Sequence, residues 1–374
     1  MPAEHVISAP SSPSSAVGGG ASPKLLVVKG INGMGDRMLS LGSGILYARL
    51  SGRALAVDWT DPVYSGDGSN VFPRLFGCPG LAMREDIPDT ESVAPAFWRG
   101  ELRTGAAALG RRHREFSADS WRRASVDLGR LDYEEDVAVM WTTSNRVRDM
   151  RAHFHGDFAK LHVLDDVEIM GIILREDLVL NGEIRGRVEG FRAAHFRSPM
   201  IGVHVRYADH RVRLRAILAQ TTALLRRERD AGIFLGTDNV EVKKLFEKVY
   251  GRVVTTPHWY PPAGLKAHDN AACADRLENA REALVDLYLL AGCDYLVCDT
   301  SSSFARVAGY LSGILPSRIF DLKAKPKLDR RLRRKIWHRW LKYGGFTWGV
   351  RALGIGERVR ATLDGVRLRG DKGG

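Results

Sequence analysis

Short, unbroken apolar runs recur along this chain, and each leads through a glycine-rich or polar loop into helical periodicity. Lys24 to Lys29 (K-L-L-V-V-K), R-A-L-A-V-D-W at 53 to 59, Val137 to Trp141 and I-G-V-H-V at 201 to 205 are of this kind, as are G-I-F-L-G at 232 to 236, R-V-V-T-T at 252 to 256 and D-Y-L-V-C at 294 to 298. A strand that is apolar on both faces must be covered on both, which is the condition of a parallel sheet flanked by helices. Helical patterns follow in step, over 37–50, from Phe158 to about Phe196, and over 213–229, 239–249 and 275–291. The alternation predicts an α/β fold of two doubly wound domains facing each other across a cleft. Residues 60 to 135, punctuated by Gly, Pro and Arg, are expected to form loops and short helices.

At 374 residues the chain is long enough for two domains. The expected division is a disordered leader over 1–23, rich in Ser, Ala, Pro and Gly, then domains over 24–196 and 197–322, then a basic tail over 323–374. The most apolar stretch, Leu284 to Cys298, is interrupted by Asp286 and Asp294, so a membrane-spanning helix is not expected. The start of the chain lacks the pattern of a secretory signal. The four cysteines, at 78, 273, 293 and 298, form no C-x-x-C pair and no zinc spacing, which suggests reduced thiols in a cytoplasmic protein. Of the 56 Lys+Arg and 44 Asp+Glu, 16 and 4 lie in residues 323–374, leaving 40 of each sign in the body. The excess charge therefore belongs to the tail, and nucleic-acid binding by the protein as a whole is not expected.

Chemistry concentrates where strands end, because ligands of parallel sheets bind beyond the carboxyl ends of the strands. Arg206 closes the run M-I-G-V-H-V-R, and its planar, permanently charged fork of donors suits a phosphate. The loop G-I-N-G-M-G-D at 30 to 36 would let backbone N–H groups approach an anion at a helix start, with Asp36 expected as the N-cap. Asp58, at the end of the second strand, makes this region partly imitate a dinucleotide fingerprint, although the glycine order G-x-x-G-x-G is not the usual one. His153 and His155 are close in sequence but lack a third ligand, so a surface loop is expected rather than a metal site. There is no D-x-D, the usual metal-holding carboxylate pair of sugar-nucleotide enzymes.

Six motifs in register then resemble a known family. G-x-G-D opening the first helix, R-x-L-A-V-D-W at 53 to 59, I-G-V-H-V-R at 201 to 206, F-L-G-T-D at 234 to 238, A-L-V-D-L-Y-L-L-A-G-C at 283 to 293 and T-S-S-S-F-A-R at 300 to 306 resemble the NodZ family of nodulation α-1,6-fucosyltransferases. A weaker likeness is to animal core α-1,6-fucosyltransferases. The resemblance implies a glycosyltransferase of the GT-B type, with two Rossmann-like domains, a GDP-fucose donor, no cofactor and no required metal. It implies inverting transfer to a 6-hydroxyl of an N-acetylglucosamine-type glycan acceptor; a lipid-linked oligosaccharide would suit the membrane contact considered for the tail below. Residue by residue, it implies that Arg206 and His204 act at the departing phosphates and that Asp286 receives the guanine. Ser301 and Ser302 would contact phosphate, Asp238 would lie near the sugar, and Gly33, Met34 and Gly35 would form the loop over the donor.

After H-V-R the chain departs from the family pattern with a short, basic segment, Y-A-D-H-R-V-R-L-R, and Asp209 is the nearest carboxylate for a general base. In the tail, residues 327–343 set Leu328, Leu332, Ile336, Trp340 and Leu341 on one helical stripe with basic residues around it. That pattern serves either a helix lying on an anionic membrane surface, peripheral to the inner membrane, or a helix packed back on the body. Two enzymatic alternatives remain open at this point. One is transfer of another GDP-sugar in lipopolysaccharide or exopolysaccharide assembly; the other is a nicotinamide-dependent oxidoreductase built on Gly30 to Gly35 and Asp58. A non-catalytic binding protein on the same fold is a third.

Overall fold

The computed structural model describes residues 23–105, 108–109, 123–209, 212–262, 264–265 and 272–323. They belong to one compact unit, Met1–Lys323; a second, Ala324–Gly374, lies outside them, as do the leader over 1–22 and the basic stripe at 327–343. The first half holds β1 (Leu25–Lys29), α1 (Met34–Ser51), β2 (Ala54–Asp58), the short β3 (Phe76–Gly77) and β4 (Val93–Ala94), β5 (Val137–Met140), α2 (Asp166–Glu176), β6 (Val179–Leu180) and α3 (Gly182–His195). The second half holds β7 (Met200–Val205), α4 (Leu214–Arg227), β8 (Gly232–Thr237), α5 (Val240–Val249), β9 (Val253–Val254), α6 (Arg276–Ala291), β10 (Tyr295–Cys298), α7 (Ser303–Ser312) and β11 (Ile319–Asp321).

Each half is built on a parallel sheet, ordered β2-β1-β5-β4 in the first and β11-β10-β7-β8-β9 in the second. The unbroken apolar runs have the burial they require, since every residue of β1, β2, β5, β7 and β10 is buried. Successive side chains of a strand point to opposite faces. Leu26 and Val28 thus join one core cluster, and Leu25 and Val27 another. In the second half Phe234, Leu296 and Cys298 point inward, whereas Ile201, Val203, Val205, Ile233 and Leu235 form an outer cluster.

The inward clusters of the two halves are one and the same. Leu26 and Val28 from the first sheet and Phe234 and Leu296 from the second share a core with Leu39, Ile45, Ile169, Ile173, Leu287 and Val307 from helices α1, α2, α6 and α7. Those four helices form a layer between the sheets. Burying one such large apolar side chain contributes about 1.5–3 kcal/mol, so this common core is the dominant tie between the halves.

Close approach within the layer is made possible by glycine. A Cβ on Gly35 would lie 2.5 Å from the Phe304 nitrogen and 2.6 Å from the Ser303 carbonyl carbon, so the first turn of α1 rests directly on the start of α7. Gly202 of β7 and Gly236 of β8 similarly admit α6, with Cys293 Sγ at 3.0 Å and a Leu290 methyl at 3.1 Å from the positions a Cβ would take.

Two expectations are corrected. Asp36 is not the N-cap of α1: Gly33 is, and Asp36 lies in the first turn with its side chain uninvolved in capping. The helical periodicity after Phe158 does not give one early helix; Gly156–Val163 is a 3-10 helix, and α2 begins only at Asp166, where Asp165 and Glu168 form a reciprocal capping box. The region 60 to 135 is largely irregular, with 3-10 turns at Phe72–Arg74 and Ala96–Trp98.

Gly35→Ala is expected to lower stability by about 1–3 kcal/mol, because backbone rather than a movable side chain opposes the methyl group. Gly190→Ala in α3, where nothing lies within 4 Å, should instead stabilise by about 0.5–1 kcal/mol. Urea denaturation of the two variants checks the contrast.

Candidate functional site

One pocket is lined by residues from both halves. Gly33, Met34, Gly35, Asp36 and Tyr64 supply one side; His204, Arg206, Thr237, Asp238, His258, Trp259, Asn279, Glu282, Asp286, Ser302, Ser303 and Phe304 supply the rest. The strand ends β7 and β8, the N-terminus of α1 and the N-terminus of α7 thus converge, as the topology of a parallel sheet demands.

Two helix starts at this pocket have no side-chain cap, a feature they share with α4. Away from the pocket, α2, α3, α5 and α6 are each capped by a side chain, from Asp165, Asn181, Asn239 and Asp275 respectively. Gly33 at α1 and Ser302 at α7 provide no side-chain cap. At α1 the Tyr64 hydroxyl accepts from the Met34 N–H at 3.0 Å. Helix N-termini carry partial positive charge and unsatisfied N–H groups, so two of them beside Arg206 make a basin suited to an anion.

Arg206 is held in place by acids. Its Nε and one Nη donate to the two carboxylate oxygens of Asp209 at 2.8 and 2.6 Å. That hydrogen bonding is the main influence holding its pKa above the ordinary arginine value, supported by the charges of Asp209, Asp238 and Asp36. Asp238 pins the segment itself, with one oxygen accepting from the N–H groups of Tyr207 at 2.6 Å and Ala208 at 3.0 Å. Burial nevertheless pushes the Asp238 carboxyl above its usual range.

His204 faces inward on β7, one residue from the outward Val203 and Val205, and only 8% of it is exposed. Its ring stacks on Phe304 at 5.2 Å and 23°. Burial first, then the adjacent Arg206 charge, lower its pKa to about 4. A neutral imidazole therefore lies beside Arg206 at neutral pH.

Asp286, on α6, lines the same pocket and is buried. It accepts from the Thr256 hydroxyl, and its second oxygen lies 3.7 Å from Nδ1 of His258. Nε2 of His258 faces the Thr237 carbonyl at 3.0 Å, and the ring packs on Tyr260 at 4.2 Å. Burial raises the Asp286 pKa against the opposing effects of His258 and Thr256. On the same helix, Glu282 accepts from the Trp259 N–H at 2.9 Å.

The structure thus gathers Gly33, Met34, Gly35, His204, Arg206, Asp238, Asp286 and Ser302 around one space, with Asp209 behind Arg206. Ser301 is different: it is exposed, does not line the pocket, and donates to Asp299 at 2.6 Å. Ser303 takes that place in the wall. Sequence reasoning missed Tyr64, His258, Asn279 and Glu282. The last two were legible, because Asn279 and Glu282 stand at i and i+3 to Asp286 at i+7, on the same face of the helix as that residue. No signal in the sequence marked Tyr64.

Asp58 is committed elsewhere. Its carboxylate accepts from the buried Lys29 ammonium at 2.5 Å and from the N–H and hydroxyl of Thr60. Lys29 also donates to the carbonyls of Leu102 and Thr104. Asp58 is not a lining residue of the pocket beside Gly33 to Gly35, so the pairing required of a dinucleotide site is missing. His153 ends the 3-10 helix Val147–His153, not the surface loop expected, and its Nε2 lies 2.7 Å from the Gly129 carbonyl. Among the described residues no cluster of three or more His, Cys, Asp or Glu is arranged to hold a metal, and no helix is long and apolar enough to cross a membrane. All four cysteines are free thiols, three of them buried.

No protein-family model matches the chain. A curated relative, nodulation protein Z of Azorhizobium caulinodans, is 26% identical over 320 residues, covering 77% of this chain and 88% of its own length. The chain is thus similar to nodulation Z proteins over about three quarters of its length. Nodulation protein Z of Bradyrhizobium diazoefficiens is 24% identical over 327 residues, 78% of this chain and 80% of that one. A crystal structure of NodZ α-1,6-fucosyltransferase soaked with GDP-fucose superposes with a TM-score of 0.54 at 23% identity, covering 78% of this chain and 93% of that one. This likeness fixes the fold as α/β of GT-B type, with two Rossmann-like halves.

The buried, neutral His204 makes a pH-dependent contribution with a definite sign. Unfolded, the side chain takes up a proton near pH 6.5; folded, it does so only near pH 4. Between those values the unfolded state binds more protons, so stability falls as pH falls through this window, by at most about 3 kcal/mol. Replacing it as His204→Gln should remove this contribution, and comparing urea midpoints of wild type and variant at pH 7 and pH 4.5 measures it.

Proposed function

We propose that the protein is an inverting glycosyltransferase that moves fucose from GDP-fucose to a 6-hydroxyl of an N-acetylglucosamine-type glycan. The observation that carries this reading is the anion basin formed by two helix starts without side-chain caps and the acid-clamped Arg206, with a buried carboxylate, Asp286, lining the same pocket. A sugar nucleotide needs both a place for its diphosphate and a partner for its base. Negative charge develops on the departing β-phosphate as the sugar bond breaks, and a fixed cation there favours the transition state over the ground state. Arg206 fills that role, with the start of α7 and Ser302 and Ser303 beside it.

Asp286 is the proposed guanine reader. A carboxylate accepts from both the ring N–H and the exocyclic amine of guanine, an arrangement adenine does not offer. Gly33 to Gly35 lie over the donor, and His204, neutral and stacked on Phe304, lines the phosphate end without adding charge. In this reading residues 24–196 form the acceptor side and 197–322 hold the nucleotide. The basin's cationic character comes from protein groups, and on that ground we propose turnover without a metal. The stripe at 327–343 is, on its sequence alone, the surface we propose for contact with anionic lipid, which would suit a lipid-linked acceptor.

Calorimetric titration in EDTA with GDP, GDP-fucose, GDP-mannose, UDP-GlcNAc and NAD tests the donor assignment. Guanine nucleotides are expected to bind selectively. Arg206→Ala should cost about 100- to 1,000-fold in transfer rate, while Asp286→Ala should weaken every guanine nucleotide alike. Binding of NAD instead, or of no nucleotide, would remove the fucosyltransferase reading.

A further inference from the structure

Transfer to a hydroxyl needs a group that takes its proton, and the pocket contains several carboxylates to compare. Asp209 has both oxygens on Arg206. Asp238 gives one oxygen to the Tyr207 and Ala208 N–H groups. Asp286 is bonded to Thr256 beside His258, and Glu282 to the Trp259 backbone. All four come from the second half, the one that carries Arg206. His204 is adjacent to Arg206 on the same strand end.

Asp36 differs on each count. It lines the pocket from the first half, in the opening turn of α1, and its carboxylate takes no hydrogen bond among the described residues. It is partly exposed and close enough for its charge to act on Arg206. It does not cap its helix, a task that falls to Gly33. Among the carboxylates compared, Asp36 alone reaches the pocket from the first half and has its oxygens uncommitted among the described residues.

We propose that Asp36 is the general base of glycosyl transfer, and that Asp209 is a positioning residue for Arg206. This rests on the transferase reading above. The Asp36 carboxylate takes the proton of the acceptor hydroxyl as its oxygen bonds to C1 of the sugar. The bond from C1 to the β-phosphate oxygen breaks, and its electron pair leaves with GDP. Asp36 then releases the proton to water.

The test compares wild type with Asp36→Asn, using GDP-fucose as donor and chitotetraose as acceptor, with calorimetric GDP binding alongside. Transfer is expected to fall by about 100- to 10,000-fold while the Kd for GDP stays within about threefold. Slow hydrolysis of GDP-fucose should fall in parallel, since water must lose a proton too, which keeps the comparison open without a sugar acceptor. Azide carries no proton to remove, so added azide should restore GDP release in the variant and yield the inverted fucosyl azide, a rescue that a merely structural Asp36 would not show. Undiminished turnover in Asp36→Asn, loss of GDP binding in that variant, or failure of azide to restore turnover would each overturn the assignment. A wild-type protein that neither binds GDP nor consumes GDP-fucose would instead overturn the transferase reading on which it rests.

Discussion

The contact between Gly35 and the backbone of Ser303 and Phe304 governs most of what this structure does. It brings the start of a helix from one half against the start of a helix from the other, which no residue with a side chain would allow at 2.5 Å. Two positive helix ends are thereby set in one place, and the sequence leaves both of them without a side-chain cap. Elsewhere four helices carry Asp or Asn caps in the ordinary way. The helix Leu214–Arg227 also starts without a side-chain cap; what sets α1 and α7 apart is that their uncapped starts meet in one pocket.

Around that contact the charges are arranged in two registers of burial. Deep in the first half, Lys29 with Asp58 and Arg37 with Asp61 are ion pairs whose side chains are at most 2% exposed. Arg37 also lies over the rings of Trp59 and Tyr64. Removing one member of such a pair costs about 3–5 kcal/mol, because the other charge is left without a partner. They fix the loop after β2, and with it Tyr64, whose hydroxyl meets the Met34 N–H. Nearer the pocket, the Arg206 and Asp209 side chains are 28% and 13% exposed, so water and a ligand can compete for the guanidinium. The inner pairs build the wall, and the outer pair offers a group for binding.

Much of the fold was legible because its signal is hydrophobic and local. Runs such as K-L-L-V-V-K and M-I-G-V-H-V can only be strands buried on both faces, and they are. The helix after Asn239 was legible too, since Asn is an effective cap. Asp36 was misread for the same reason: an acid at a helix start normally caps it, and here glycine occupies the cap one turn earlier. Ser301 and Ser303 are interchangeable in sequence; only the backbone path after Asp299, whose side chain takes the Ser301 hydroxyl, decides which one faces the pocket. Tyr64 and His258 come from loops, where no periodicity exists to place them. The role of Asp58 turned on Lys29, 29 residues away, a distance across which pairing cannot be read from spacing.

The single core shared by the two sheets has one more implication. Leu26, Ile169, Leu287, Val307 and Phe234 belong to the same apolar cluster although they come from opposite sides of the molecule. Swinging the halves apart on a hinge would bring that cluster into water at roughly 25 cal/mol for every Å² exposed. Opening the two halves like a pair of jaws is opposed by that cost, so the shared core ties the walls of the pocket into one frame.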